Sequence, residues 1–272
     1  LDLVNVVTVF SGVEQGANAN EVVDAFKSKM KEFEKTEEWK ELAENGIEYT
    51  FTGQMEEQAK EMAFLSKALL IAVFLILLII VTQFNSFSTP TIILLSVVLS
   101  LVGVFMGIVI VQDDFIIIMT MIGIISLAGI VVNNAIVLVD YTNLLRKRKR
   151  DELGLTETVQ LPVEEIKNAI ILGGKTRLRP VLLTAITTIL GLLPMATGMN
   201  IDFFSLFSEF DPKIFFGGDN AVFFGPMSWT IIYGLTFATF LTLVVVPSMY
   251  YLLYRLKVWM YRVFKWELKS NI

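Results

Sequence analysis

Cysteine and histidine are both missing from this sequence of 272 residues. Without cysteine there is no disulfide and no thiolate nucleophile, and without histidine there is no imidazole base and no ordinary zinc ligand set. Any chemistry would fall to carboxylates, Lys, Arg, hydroxyls and amides. No stretch assembles a nucleophile with a base, so the chain reads as a non-enzyme that needs no cofactor and no metal. Charge is sparse as well: 18% of residues are charged, with a formal net charge of -5. What is abundant is apolar side chain, 54% of the total, with a mean hydropathy of +0.65, and it falls in long uninterrupted blocks. That pattern is the signature of a polytopic membrane protein. The sequence starts at Leu1 without an initiator Met or a leader pattern, and it reads as part of something longer.

Five segments are long enough to cross about 30 Å of hydrocarbon at about 1.5 Å per residue. They run over residues 63–81, 91–111, 115–139, 178–197 and 228–254. The expected class is therefore mainly α, with residues 63–272 forming a transmembrane domain. The loop at 141–177 opens with "RKRKR" and leads to nine basic residues by Arg179, and five more follow from Arg255. The loops on the opposite side hold only Lys213. The excess of Lys and Arg puts loop 141–177 and the C-terminus in the cytoplasm, and residues 1–62 and loop 198–227 outside. A polybasic run is first a topology signal of this kind; a lipid-headgroup or nucleic-acid patch is the rarer reading, and no nucleic-acid partner is expected.

Residues 1–62 read as a partial α+β unit. "VNVVTVF" alternates like a strand, Asn20 stands where a helix cap is needed, and Val22, Val23, Phe26, Met30 and Phe33 repeat at helical spacing. "IEYTF" alternates again after Asn45-Gly46. Two strands and one helix bury too little to stand alone, so partner strands are expected from elsewhere. A helix starting near Gln54 should continue without a break into the first crossing, as a rod between the outer unit and the membrane. Residues 198–227 hold eight Phe, four acids and one Lys, which suits an external loop lying at the interface.

Polar residues inside the apolar blocks carry most of the functional information. Asn133 and Asn134 stand together in "IISLAGIVVNNAIVLVDYTN". Helix-helix adhesion explains such amides as readily as function does, in the way Ser96, Ser100, Gly103 and Gly107 make a small-residue stripe. Register favours function. Thr184 lies seven residues beyond Arg177, and Asn133 lies seven before Asp140, so two antiparallel neighbours would set the amides level with Thr184 and Asp140 level with Arg177. Asp140 is a candidate ion-pair partner for Arg177, whereas Arg179 is expected to snorkel.

"LAGIVVNNAIVLVDYTN", then "RLRPVLLTAITTILGLLPMA" and "TFATFLTLVVVPSMYYLL", resembles the C-terminal half of a resistance-nodulation-division (RND) transporter of the hydrophobe and amphiphile efflux branch. "FTGQMEEQ" and "QFNSFSTPTIILLSVVLSLVG" fit the same pattern. The resemblance covers essentially the whole chain. It implies that the five crossings match helices eight to twelve of an RND subunit, and that residues 1–62 end a periplasmic porter subdomain. It implies an inner-membrane homotrimer joined to the N-terminal half of the same subunit, to a periplasmic adaptor and to an outer-membrane channel. Such a pump is a secondary active transporter that exports small hydrophobic or amphiphilic substrates as protons enter. It also implies a proton relay in which Asn133, Asn134, Arg177 and Thr184 face two aspartates of the N-terminal half. The best-studied drug pumps carry Lys at the position of Asn133, so Arg177 would supply more of the counter-charge here. Alternatives are an RND relative moving metal ions, lipids or secretion substrates, and a half-length membrane assembly partner that transports nothing.

Overall fold

The computed structural model describes residues 6–12, 19–84, 88–113, 115–155, 161–202, 207–211 and 213–263. The chain divides into two units, residues 1–64 and 65–272.

In the first unit, α1 (Ala19–Phe33) and α2 (Glu37–Glu44) are joined by a tight turn. The Thr36 hydroxyl caps α2 by accepting the Trp39 N–H at 3.4 Å, and Glu37 and Glu38 sit in the first turn, where the helix dipole favours acids. The sequence reading overlooked α2, although Thr36 followed by two Glu is a helix-start pattern. The capping assigned to Asn20 concerns a side chain outside the described set, as do the first residues of "VNVVTVF". Residues 6–10 and 47–51 form no strand ladder. A strand exists only beside a hydrogen-bonded neighbour, and none is supplied among the described residues. The second segment is held instead by rings: Phe26 meets Phe51 edge-on at 5.9 Å, Phe51 meets Tyr49 at 5.4 Å, and Tyr49 meets Trp39 at 5.1 Å. The Tyr49 hydroxyl donates to Glu34 at 2.6 Å, and that bond to an acid holds the phenol above its ordinary range.

Among the described residues, five helices are long and apolar enough to span a membrane. They are α3 (Gln54–Phe84), α4 (Ser88–Val111), α5 (Ile117–Glu152), α6 (Val163–Thr197) and α7 (Asp219–Val263). α3 is unbroken, as expected from its lack of Gly and Pro. The supposed loop 141–177 is mostly helix, because α5 runs on to Glu152 and α6 starts at Val163. Loop 198–227 is likewise shortened. Met199–Asn200 (β1) pairs antiparallel with Phe215–Phe216 (β2), and α7 begins at Asp219, nine residues before the expected Ser228. Charged and polar residues at the ends of a span extend a helix readily, since water satisfies what lipid does not, and hydropathy alone therefore underestimates helix length.

The core of the second unit lies where α4, α5 and α6 gather on α7. One cluster joins Ile80, Ile92, Ile93, Val132, Leu138, Val139, Ile166 and Val246; the other joins Val104, Ile124, Leu127, Val131, Ala185, Leu235 and Ala238. Glycines set the spacing. A Cβ on Gly103 would collide with Phe237, one on Gly107 with Tyr233, and one on Gly234 with Leu127 and Val104. The stripe Ser96, Ser100, Gly103 and Gly107 is thus packing, with both serines buried. Buried hydroxyls bond back to their own helices: Ser96 to Ile93, Ser100 to Val97, Thr142 to Leu138, Thr230 to Pro226 and Thr239 to Leu235. No lone polar atom is left toward lipid by these side chains.

Gly234→Val should lower the stability of this unit by about 2 kcal/mol or more, the usual cost of overpacking a closed contact. Its thermal midpoint in detergent should fall clearly below that of the wild type, and an unchanged midpoint would mean that α4, α5 and α7 do not meet at Gly234.

Candidate functional site: the polar face of α5 and α6

α5 and α6 lie antiparallel, and small residues let them approach. Gly173 sits on Thr142, where an added Cβ would stand 2.8 Å from the Thr142 hydroxyl oxygen. Farther along the seam, the Arg177 guanidinium lies over the Tyr141 ring at 4.4 Å, and Thr184 reaches Asn134. Seven residues forward on α6 are matched by seven residues back on α5, which is the register read from the sequence. Ala185 and Val181 are buried beside this line and fix the roll of α6.

Asn134 is buried, and its Oδ1 lies 3.4 Å from the Thr184 hydroxyl oxygen. The same hydroxyl lies 2.9 Å from the Val181 carbonyl. A hydroxyl has one proton, and the shorter contact to Val181 holds it more strongly than the long contact to the amide. Thr184 and Asn134 are therefore poised neighbours whose hydrogen bond is still weak. Asn133, one residue earlier and about 100° around the helix, is exposed. The two amides do not act as a pair: one is turned toward α6 and the other is turned outward.

The ion pair between Asp140 and Arg177 is not formed. Among the described residues no ion pair contains either side chain. The level was right and the azimuth was wrong: Arg177 meets Tyr141, while Asp140 turns to the open side. A guanidinium stacked on a ring keeps its charge and most of its donors, and the buried Arg177 Nε has no hydrogen-bond partner. Pro180 lies three residues on and leaves the Thr176 carbonyl without its intrahelical N–H partner.

Sequence reading missed the extent of this face. Ser126, Gly129, Asn133 and Asp140 are all exposed and fall within a narrow strip of α5, at spacings of three, four and seven residues. On α6 the exposed residues Pro180, Thr184, Thr187 and Gly191 make a matching strip beside Arg177. Added Cβ atoms on Gly129 and Gly191 would meet nothing within 4 Å. The opposite flank of α6 is plain hydrocarbon, with Leu178, Leu182, Leu183, Ile186 and Leu190 exposed. Seven-residue spacing of small and polar residues marks these strips in the sequence, and the amides and charges are only part of it.

Comparison with known proteins places the chain in a family. A sequence model of the AcrB/AcrD/AcrF family matches residues 4–201. The swarming motility protein SwrC of Bacillus subtilis is 34% identical over 186 residues, covering 68% of this chain and 15% of SwrC. The cobalt-zinc-cadmium resistance protein CzcA of Cupriavidus metallidurans is 25% identical over 77% of this chain and 17% of its own length. The multidrug resistance protein MdtC of Proteus mirabilis is 25% identical over 89% of this chain and 20% of its own length. A crystal structure of a heavy metal efflux pump superposes with a TM-score of 0.55 at 25% identity, covering 77% of this chain and 18% of that one. The chain thus spans no more than a fifth of the length of these relatives. With its five apolar helices, its polar α5–α6 face and the match over residues 4–201, the chain belongs to the AcrB/AcrD/AcrF family of RND transporters.

Proposed function

We propose that this chain is the C-terminal part of a proton-driven RND efflux subunit and that the polar face of α5 and α6 is one wall of its proton relay. The observation that carries the proposal is the pair of uncovered strips within the apolar length of two spans. Lipid is a poor neighbour for Asn133, Asp140, Thr184 and a guanidinium, whereas a helix bearing acids is a good one. Small residues at Gly129 and Gly191 leave room for such a helix to come close. In this reading the occupant is a helix from the N-terminal half of the same subunit, carrying two neighbouring carboxylates. Two such acids in a low-dielectric site cannot both ionise cheaply, so their proton occupancy follows nearby positive charge and donors.

Arg177 supplies the charge, and its stack on Tyr141 sets the direction in which its remaining donors point. Thr184 and Asn134 supply neutral hydrogen-bonding groups. With the acids ionised, Arg177 and the hydroxyl of Thr184 turn toward them; with a proton loaded, that attraction falls and the weak Thr184–Asn134 bond can tighten. The alternation is what would shift the helices and expel substrate on the outer side. α3, continuous from Gln54 to Phe84, would carry the displacement along its length. The pump is proposed to sit in the bacterial inner membrane with residues 1–62 periplasmic and the C-terminus cytoplasmic. It would work as a homotrimer with an adaptor and an outer-membrane channel. Small hydrophobic or amphiphilic molecules are the substrates of this reading. Metal-ion export is the second reading, supported by the likeness to CzcA and to a heavy metal efflux pump.

Arg177→Ala in the intact transporter should lower proton-coupled efflux more than about a hundredfold, the scale of a buried charge left without its partner, while the protein still inserts and assembles. Wild-type resistance in cells expressing that variant would remove Arg177 from the relay. Thr184→Val should be milder, about fivefold, the worth of one neutral hydrogen bond, measured as dye efflux from the same cells. Gly129→Leu separates the docking proposal from stability: its side chain has free space in this chain, so the thermal midpoint should hold, yet association with the N-terminal half should fail.

A further inference from the structure

Beyond the relay face, a second cluster of cations lies at the far end of α5. Arg146 stands seven residues past Val139, about 10 Å beyond the apolar block at helical rise, which is the depth of lipid headgroups. Its guanidinium lies 5.6 Å from the ring centres of both Tyr250 and Tyr254 on α7. It donates through Nη1 to the Tyr250 hydroxyl oxygen, which in turn donates to Asn143 Oδ1 at 2.5 Å. The Tyr254 hydroxyl donates to the Leu161 carbonyl at 3.0 Å. Both phenol protons are thus committed to protein acceptors, and the two rings serve as a rigid cradle for the cation. Arg150 stands one turn on along the same helix.

Among the described residues, neither guanidinium is in an ion pair, whereas Lys149, between them in sequence, has Glu152 at 3.1 Å and Glu165 at 3.9 Å. The Nε atoms of both are buried without a hydrogen-bond partner. A topology signal requires only positive charge in a loop; it does not require one arginine seated against two aromatic rings and a second, one turn on, each with its Nε withheld from water. The unmet demand is for a compact anion with several acceptor oxygens, in the geometry that guanidinium forks recognise.

We propose that Arg146, cradled by Tyr250 and Tyr254, and Arg150, one turn on along α5, bind the phosphate of an anionic phospholipid headgroup and so fasten the ends of α5 and α7 to one leaflet. The depth favours a lipid phosphate over a soluble one, since the cluster lies about 10 Å beyond the apolar block, at the level of the headgroups.

The test uses the intact protein in dodecyl maltoside, with bound lipid counted by native mass spectrometry after addition of phosphatidylglycerol or phosphatidylcholine. Phosphatidylglycerol should be retained in preference to phosphatidylcholine, and R146Q/R150Q should reduce that retention roughly thirtyfold, from the usual attraction of two basic residues near a surface. R146K/R150K keeps the charge without the fork and should fall between. Equal retention of phosphatidylglycerol by wild type and R146Q/R150Q would overturn the proposal. So would displacement of the lipid by millimolar inorganic phosphate, which would assign the cluster to a soluble anion. If the double variant does not fold, Arg150→Gln alone decides, because Arg150 makes no ring contact or hydrogen bond that holds α7: a loss of about fivefold supports the site, and no loss overturns it.

Discussion

Polar groups in hydrocarbon need partners, and that single constraint orders this structure. Ser96, Ser100, Thr142, Thr230 and Thr239 meet it inside their own helices, by bonding to carbonyls three or four residues back. These residues can therefore be buried among apolar neighbours without marking a site. Asn133, Asp140 and Arg177 have no such internal solution. Their long or amide-bearing side chains must find acceptors, donors or counter-charges on another helix, and the chain leaves Asn133 and Asp140 on an open strip of α5, with Arg177 beside the matching strip of α6. The division runs between hydroxyls satisfied within their own helices and exposed amides and charges that are not, and Thr184 stands at its border, bonded to the Val181 carbonyl yet within reach of Asn134.

How much of this was legible in advance depends on which physical rule governs each element. The crossings were legible because hydrocarbon thickness imposes a minimum apolar length, and the five helices fall where the apolar blocks fall. Their ends were not, since hydropathy stops at the first charges while α5 and α7 continue well beyond them. The α5–α6 register could be read from the seven-residue steps, because antiparallel helices advance at the same rise. Azimuth was less secure: one residue is about 100° of turn, and that difference exchanged Asp140 for Tyr141 as the neighbour of Arg177. The strands expected in the first unit depended on a partner that no local pattern supplies, while α2 was overlooked although Thr36 marked its start.

Two arginine environments in the same second unit show how context sets the meaning of a charge. Arg177 rests on one ring, beside an open strip of polar and small residues, and is suited to a counter-charge that comes and goes. Arg146 is held between two tyrosines whose hydroxyl protons are already committed, and is suited to a fixed ligand. Aromatic support is common to both; what differs is whether the surroundings can rearrange.

α3 differs from the other spans in having little to hold. Leu70, Ile71, Phe74, Leu75 and Ile79 are exposed, and among its described side chains only Leu65 and Ile80 are buried. A span fitted to solvent chain rather than to neighbouring side chains is constrained in hydrophobicity but hardly in shape. Evolutionary drift should therefore be fastest there: Leu, Ile, Val and Phe would exchange freely along α3, whereas the glycine contacts of Gly103, Gly107 and Gly234 would hold α4 and α7 to a narrow alphabet.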